Sequence, residues 1–131
     1  DIGTGTGVLA ILASKLGATS LLAIDIEEWA FNNSKENSKL NKVSNIDFIH
    51  GDARNIKNTK FDFILANINR NVILHDIEIY VNCIKDTGNI LLSGFLKKDI
   101  TLILDRTKAF NLELVDLKNI DKWQMLLLKK V

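Results

Sequence analysis

The sequence opens with residues whose types and spacing suit the binding of a charged small molecule. Directly behind the acidic residue Asp1 stand three glycines at two-residue spacing, Gly3, Gly5 and Gly7. Glycine adopts positive φ easily and, lacking a Cβ, lets a ligand lie against the backbone. An amphipathic run follows at once, so this glycine loop (residues 1–7) is expected to present free N–H groups and the positive end of a helix dipole. With the Asp1 carboxylate beside them, these groups suit a ligand that carries both a carboxylate and a cationic centre.

Two further acidic residues follow predicted strands and suit the recognition of a nucleoside. Asp25 comes 22 residues after Gly3, close to the roughly 20-residue offset at which an acid meets ribose hydroxyls in nucleotide-binding βαβ units. An ionised carboxylate can accept hydrogen bonds from both hydroxyls of a cis-diol. Glu27 is a rival acceptor, although at a helix start it would serve the dipole. Asp52, after Gly51, suits an exocyclic amine such as that of adenine, with a turn or a helix cap as its alternative role.

The register of the glycine loop separates two classes of cofactor. The dinucleotide fingerprint is G-x-G-x-x-G, and counted from Gly3 it would require glycine at the position of Val8. The observed G-x-G-x-G is more typical of S-adenosylmethionine-dependent methyltransferases, above all with Asp1 before it and Asp25 after it. We therefore expect S-adenosyl-L-methionine as the cofactor.

The elements that must position these residues follow from hydrophobic periodicity. Helices are predicted at residues 8–16, 27–40, 72–85 and 97–109, and strands at residues 20–25, 45–50, 61–66, 90–93, 112–117 and 123–129. In the first helix, an apolar stripe is expected from Val8, Leu9, Ile11, Leu12 and Leu16. The alternation predicts an α/β fold with a Rossmann-like, doubly wound, mostly parallel sheet and a C-terminal antiparallel hairpin.

Four polar sites coincide with predicted strand ends. They are the glycine loop, Asp25, Asp52 and Asn67. Ligands of doubly wound sheets bind at the carboxyl ends of the strands, so these four sites are expected to form a continuous rim.

The amino-acid composition limits the classes of function that the chain could have. The 131 residues include 17 basic and 16 acidic side chains, a net charge of +1, which gives no electrostatic case for a nucleic-acid groove or an anionic membrane. No apolar run is long enough for a membrane span. The single cysteine, Cys83, fits a reducing, cytoplasmic compartment and is expected to be a buried structural thiol. No cluster of metal ligands is evident, so no metal-assisted mechanism is expected.

The chain is expected to be one methyltransferase domain over residues 1–131 that lacks its start. It begins inside a motif that normally follows a complete strand, of which only Asp1 and Ile2 are present. We therefore expect a fragment of a longer protein with its first strand largely missing.

Several segments together resemble one family. The glycine loop resembles the first motif of class I S-adenosylmethionine methyltransferases, and residues 23–26, 36–37 and 41–43 look like the second strand and following helix of ribosomal protein methyltransferases of the PrmA type. Residues 66–68, residues 92–96 and the terminal strand from Trp123 also match that family. The resemblance covers nearly the whole chain. It implies methylation of amino groups, on a lysine side chain or the N-terminus, of the large-subunit stalk-base protein. That protein would be recognised through a missing N-terminal domain. From the charge balance and the lack of a long apolar run, we expect neither a membrane nor direct nucleic-acid binding to be involved.

The resemblance also implies a role for each site residue. The methionine moiety of the cofactor would lie in the glycine loop, against Asp1, Gly3, Thr4, Gly5 and Gly7. Asp25 would bind the ribose with Ile26 beside it, and Asp52 with Ala53 would bind the adenine. Asn67 would sit beside the methyl group and orient the acceptor amine, as the catalytic residue.

The expected reaction is an in-line displacement in which a neutral amine attacks the sulfonium methyl group. The Asn67 side-chain carbonyl can accept a hydrogen bond from the amine and so aim its lone pair. Related amide methyltransferases carry Asn-Pro-Pro-Tyr at this place, whereas here Asn67 is followed by Ile-Asn-Arg, which favours amines over a glutamine amide. No strong base is evident, because His50 and His75 are expected to be structural or solvated.

Three alternatives stay open from the sequence. The chain could methylate another protein, a small molecule or RNA. It could be a nicotinamide-dependent oxidoreductase, which the Val8 mismatch disfavours. It could also be a non-catalytic domain that keeps the fold for interaction only.

Overall fold

Helices and strands alternate along the chain as predicted. The structure, a computed structural model, describes residues 1–131, which divide into two units, Asp1–Asn55 and Ile56–Val131. None of the helices is both long enough and apolar enough to cross a membrane.

The first unit is a short parallel sheet with two helices. Its elements are α1 (Val8–Lys15), β1 (Leu21–Asp25), α2 (Glu28–Leu40), β2 (Ile46–His50) and a 3₁₀ turn (Ala53–Asn55). The two strands pair in parallel, and a further parallel bridge joins Ile2 to Ile24. The core consists of small and branched apolar side chains, which let the helices approach the strands closely, namely Ala10, Ile11, Ala23 and Ile46.

The second unit is a four-stranded sheet in the order β3-β4-β6-β5. Its elements are β3 (Phe61–Asn67), α3 (Arg70–Cys83), β4 (Ile84–Leu96), a 3₁₀ turn (Lys97–Asp99), α4 (Ile100–Lys108), β5 (Leu112–Ile120) and β6 (Trp123–Lys130). β3 and β4 are parallel, whereas β6 runs antiparallel between β4 and β5. The parallel pairs together with this hairpin confirm the predicted α/β class.

The predicted apolar stripe of α1 is only partly buried. Val8, Leu12 and Leu16 are 63%, 49% and 78% exposed, and the buried residues of this helix are Ala10 and Ile11. Ala10 and Ile11 lie on the side that packs against the strands, where small side chains let the helix backbone come close. Periodicity therefore identified the helix and the buried Ile11, but the predicted stripe extends beyond the face that the helix buries.

The boundary between α3 and β4 also differs from the prediction. Ile84 fits the helical pattern of buried residues, yet the helix ends at Cys83 and Ile84 pairs with Phe61 in the sheet. Thr87, with φ 68°, and the register shift between Phe61 and Phe63 accommodate the early start of the strand. Pairing with β3 thus outweighs the local helical pattern.

Candidate functional site

The glycine loop is folded tightly against the end of β1. Gly3, Gly5 and Gly7 have φ values of 68°, 56° and 85°, a region that side chains rarely adopt. The N–H group of Gly3 donates to the carbonyl oxygen of Ile24 over 2.9 Å. A Cβ on Gly7 would stand 3.1 Å from the Cβ of Ser34 in α2, whereas a Cβ on Gly5 would meet nothing within 4 Å. The loop is therefore packed at Gly7 and open at Gly5.

The Asp1 side chain ties the loop to the first turn of α1. Its Oδ2 accepts from the Thr4 hydroxyl over 2.7 Å and from the Ala10 N–H over 3.1 Å. Asp1 Oδ1 accepts no hydrogen bond within the chain. From α2, the Asn37 amide donates to the Thr6 carbonyl oxygen over 2.8 Å and holds the other side of the loop.

The Asp25 carboxylate stands between the loop and α2. Its Oδ2 accepts from the Gly5 N–H over 2.8 Å, and its Oδ1 accepts from the Glu27 N–H over 3.0 Å. A carboxylate has about four acceptor sites, so each oxygen can accept one more donor. Asp25 is buried to 9% exposure, which makes these remaining acceptor positions the polar floor of the loop.

Ile26 presents its side chain beside this carboxylate. The Ile26 side chain is 65% exposed. Its backbone is held in place by His50, whose Nε2–H donates to the Ile26 carbonyl oxygen over 2.9 Å. The His50 ring stacks on Phe31 with a centroid distance of 5.7 Å. His50 therefore has a structural contact, as expected for it.

Asp52 is fixed by its own turn. The Arg54 N–H and Nε donate to Asp52 Oδ1 over 2.9 and 3.0 Å, and the guanidinium also pairs with Oδ2. The Asp52 N–H donates to the Asn55 side chain over 2.9 Å, and the Gly51 N–H donates to the Asp25 carbonyl oxygen over 2.8 Å. The neighbouring Ala53 is buried. The first unit thus brings the glycine loop, Asp25 and the Asp52 turn to one edge of its sheet.

Asn67 belongs to the second unit, where it ends β3 opposite Ser93. Its exposed side-chain amide makes no hydrogen bond within the chain. The next residue is held to β4, because the Ile68 N–H donates to the Ser93 carbonyl oxygen over 3.1 Å. Gly94 has a φ of 91°, and a Cβ there would stand 3.1 Å from Asn67 Oδ1 and 2.9 Å from the Ile68 carbonyl oxygen. The Asn67 amide therefore rests against bare backbone.

A cavity of about 760 Å³ opens beside Asn67. Its walls come from three segments of the second unit: residues 67–69 after β3, Ser93 and Gly94 in β4, and residues 118–120 and 123–125 of the β5–β6 hairpin. Gln124 is buried there to 7% exposure, with its Nε2 donating to the Lys122 carbonyl oxygen over 3.3 Å. The walls are mostly apolar and enclose a few amide groups.

Sequence reasoning missed the hairpin as part of this cavity. Because β6 is antiparallel to β4, its first residue, Trp123, pairs with Leu96 at the carboxyl end of β4. The end of β5 and the start of β6 therefore reach the edge at which Asn67 lies. The closing hairpin is the signal in the sequence that, read with this pairing, would have identified these wall residues.

An ion pair connects the start of α3, next to the cavity residues 67–69, to the 3₁₀ turn after β4. The Arg70 guanidinium donates to Asp99 Oδ1 over 2.9 Å, and Asp99 Oδ2 accepts from the Leu96 N–H over 3.0 Å. The hydrogen bond from Leu96 lowers the pKa of Asp99, burial opposes this effect, and the neighbouring Arg70 lowers the pKa further. Asp99 therefore stays ionised although its side chain is buried.

His75 and Cys83 are the two remaining residues that could take part in catalysis, and the surroundings of both favour a structural role. His75 is exposed and pairs with its neighbour Asp76. Cys83 is buried, as predicted, and burial raises the pKa of its thiol, with a smaller opposing effect from Lys60. A thiol with a raised pKa is a poor nucleophile.

A family model described as "Ribosomal protein L11 methyltransferase (PrmA)" matches residues 1–131. The ribosomal protein L11 methyltransferase of Porphyromonas gingivalis is 42% identical over 127 residues, which cover 96% of this chain and 44% of that protein. The chain thus spans less than half the length of this curated relative.

Solved structures give the same picture of the fold. The ribosomal protein L11 methylase from Lactobacillus delbrueckii subsp. bulgaricus superimposes with a TM-score of 0.95 at 29% identity, over 100% of this chain and 69% of that one. The magnesium protoporphyrin IX methyltransferase of Synechocystis PCC 6803, solved with bound SAH, has a TM-score of 0.75 at 14% identity, covering 98% of this chain and 71% of that one. At such low identity the second match shows the fold alone, which is the predicted Rossmann-like one.

Proposed function

The chain belongs to the family of ribosomal protein L11 methyltransferases (PrmA), and from this membership we propose that it transfers methyl groups from S-adenosylmethionine to amino groups of a large-subunit ribosomal protein. The acceptor is a lysine side chain or the amino terminus. Such a substrate would place the enzyme in the cytoplasm. Because the relative is more than twice as long as the matched part, we assign recognition of the ribosomal protein to a further domain of the whole protein, and residues 1–131 to the methyltransferase domain.

The observation that carries the cofactor assignment is the hydrogen bond from the Gly5 N–H to Asp25. It holds the carboxylate under a glycine loop that is open at Gly5. The two free acceptor positions of Asp25 fit the two hydroxyls of a ribose. The N-terminus of α1 and the free Oδ1 of Asp1 fit the carboxylate and the ammonium group of a methionine moiety.

We assign the remaining contacts in the first unit accordingly. The methionine moiety is held by Asp1, Gly3, Thr4, Gly5 and Gly7. Ile26, with its exposed side chain next to Asp25, covers the nucleoside. We assign Asp52 to the adenine amine, which would share the carboxylate with Arg54 because both oxygens accept from that side chain, and the buried Ala53 keeps the turn compact.

In the second unit we assign the cavity to the acceptor side chain and Asn67 to its amine. When bound, S-adenosylmethionine supplies a methyl group on a sulfonium, which is already a good leaving group. A lysine amine in water has a pKa of about 10.4 and must lose a proton before it attacks. The apolar walls of the cavity favour the neutral amine by desolvation. The free Asn67 carbonyl accepts one N–H of that amine and directs its lone pair, so the residue acts by orientation.

Calorimetric titration of the chain with S-adenosylhomocysteine and with NAD tests the cofactor assignment. We expect saturable binding of S-adenosylhomocysteine and none of NAD. Preference for NAD would replace the proposal with the oxidoreductase alternative, and binding of neither compound would favour a non-catalytic domain.

A further inference from the structure

The segment from Asn67 to Arg70, which joins β3 to α3, is held at each residue after Asn67. The Ile68 N–H donates to the Ser93 carbonyl oxygen over 3.1 Å. The Asn69 side chain caps α3 by accepting from the Val72 N–H over 3.1 Å. Arg70 then reaches Asp99 over 2.9 Å. The segment is therefore attached to β4, to its own helix and to the loop that follows β4.

The Arg70 contact uses the full fork of the guanidinium. Its NH1 donates to Asp99, while Nε and NH2 donate to the Asn71 side chain over 3.2 and 3.1 Å. A lysine ammonium could donate to Asp99 or to Asn71, but it lacks the planar fork of donors that reaches both side chains in fixed directions. The arrangement fixes the direction of the side chain as well as its charge.

The pair is poorly explained by stability alone. Asp99 is 6% exposed, and desolvation of a buried carboxylate offsets much of its attraction to a cation. The start of α3 is already capped by Asn69. What the pair adds is a fixed distance between the loop after β3 and the loop after β4.

That distance matters for Asn67, because its side chain has no hydrogen bond of its own. The Asn67 Oδ1 rests against the backbone of Gly94, so a shift of the Asn67–Arg70 segment moves the amide relative to β4. We propose that Arg70 and Asp99 form a positioning pair that holds the Asn67 amide in the orientation required for methyl transfer. The role in transfer rests on the function proposed above.

The structural half of this proposal can be tested on the chain itself by NMR. In Arg70→Met, we expect the Asn67 side-chain amide resonance to shift and the Ile68 amide to exchange its proton about tenfold faster or more. Arg106→Met is the matched control, because Arg106 lies in α4 and contacts the Leu74 carbonyl oxygen and the Phe110 ring instead. Unchanged Asn67 and Ile68 signals in Arg70→Met, or equal changes in the control, would overturn the positioning role.

The functional half needs the whole protein and a ribosomal protein substrate. We expect kcat to fall by about 100-fold in Arg70→Met, the effect of a small misplacement of a reacting group, with the acceptor KM and the affinity for S-adenosylhomocysteine within about twofold of wild type. The kcat of Arg70→Lys should lie between those of wild type and Arg70→Met. The kcat of Arg106→Met should match that of wild type. A merely structural role would lower the melting temperature without this split between kcat and KM, and that result would contradict the proposal.

These experiments distinguish a failure of the proposed function from a failure of the positioning role. If the wild-type protein transfers no methyl groups, the proposed function is wrong, while the NMR comparison still decides whether the pair positions Asn67. If Arg70→Met does not fold because Asp99 is left buried and unpaired, Arg70→Met/Asp99→Asn removes both charges and is measured in its place with the same expected losses.

Discussion

The backbone N–H of Gly5 donates to Oδ2 of Asp25 over 2.8 Å. This bond joins the two most diagnostic features of the sequence, which lie 20 positions apart. Asp25 thus shapes the glycine loop and also offers acceptors beside it. Loss of the carboxylate should therefore affect the loop and the ligand together.

Asp25→Ala should weaken binding of S-adenosylhomocysteine strongly. Each hydrogen bond to a charged group contributes about 1.5–3 kcal/mol, so loss of the proposed ribose contacts should raise Kd by about 10- to 100-fold or more. Calorimetry on the folded variant checks this value. Asp47→Ala, an exposed aspartate in β2, is the control and should bind like wild type. Equal affinities in wild type and Asp25→Ala would exclude a ribose role.

Asp52 should discriminate the adenine amine. Wild type should bind S-adenosylhomocysteine about tenfold or more tightly than its inosine analogue, in which a carbonyl replaces the amine and removes its N–H donor. Asp52→Ala should bind the two ligands with similar affinity. A preference that survives the substitution would assign adenine recognition elsewhere.

Gly94→Ala should impair catalysis as well as stability. The substitution places a side chain at φ 91° and also drives a Cβ towards Asn67 and Ile68. The control is Gly17→Ala, because Gly17 has a φ of 106° with nothing within 4 Å of its Cβ. Both variants should lose about 1–3 kcal/mol of stability, but only Gly94→Ala should also lose kcat. Unfolding curves and methyl-transfer rates distinguish them, and equal kcat values would show that the contact with Asn67 is unimportant.

Acid should remove the stabilisation that Asp99 provides. The Leu96 N–H and Arg70 lower the pKa of Asp99 in the folded state, so the unfolded chain binds more protons as the pH falls. The contribution is complete above the ordinary carboxyl range, near pH 4, and is lost as the pH drops through the lowered pKa. Urea unfolding at a series of acidic pH values should therefore show a flatter pH dependence in Asp99→Asn than in Asp105→Asn, an exposed control. Parallel curves for the two variants would contradict this account.

Local patterns were sufficient to predict the elements and the strand ends. Asp25 and Asp52 could be placed at strand ends because short apolar runs precede them, and the glycine loop could be recognised by its glycine spacing and the amphipathic run that follows it. The same reasoning failed where pairing with a residue distant in the sequence determines the secondary structure. Ile84 fits a helix by periodicity but pairs with Phe61 in the sheet.

The surroundings of Asn67 were beyond sequence reasoning for the same reason. Arg70 and Asp99 are 29 positions apart, and nothing local marks them as partners. The cavity wall depends on Trp123 pairing with Leu96, which follows only from the position of β6 between β4 and β5. A single residue could be proposed as catalytic from its motif, but the cavity beside it required the tertiary register.

The most direct measurement is transfer of a labelled methyl group from S-adenosylmethionine to the large-subunit ribosomal protein L11 by the whole protein, with Asn67→Ala beside wild type. We predict labelled amines on L11 with wild type, and a kcat lower by about 100-fold in Asn67→Ala with unchanged affinity for S-adenosylhomocysteine. Binding of S-adenosylhomocysteine without any transfer to L11 would contradict the proposed substrate. Equal turnover by the two proteins would contradict the role of Asn67.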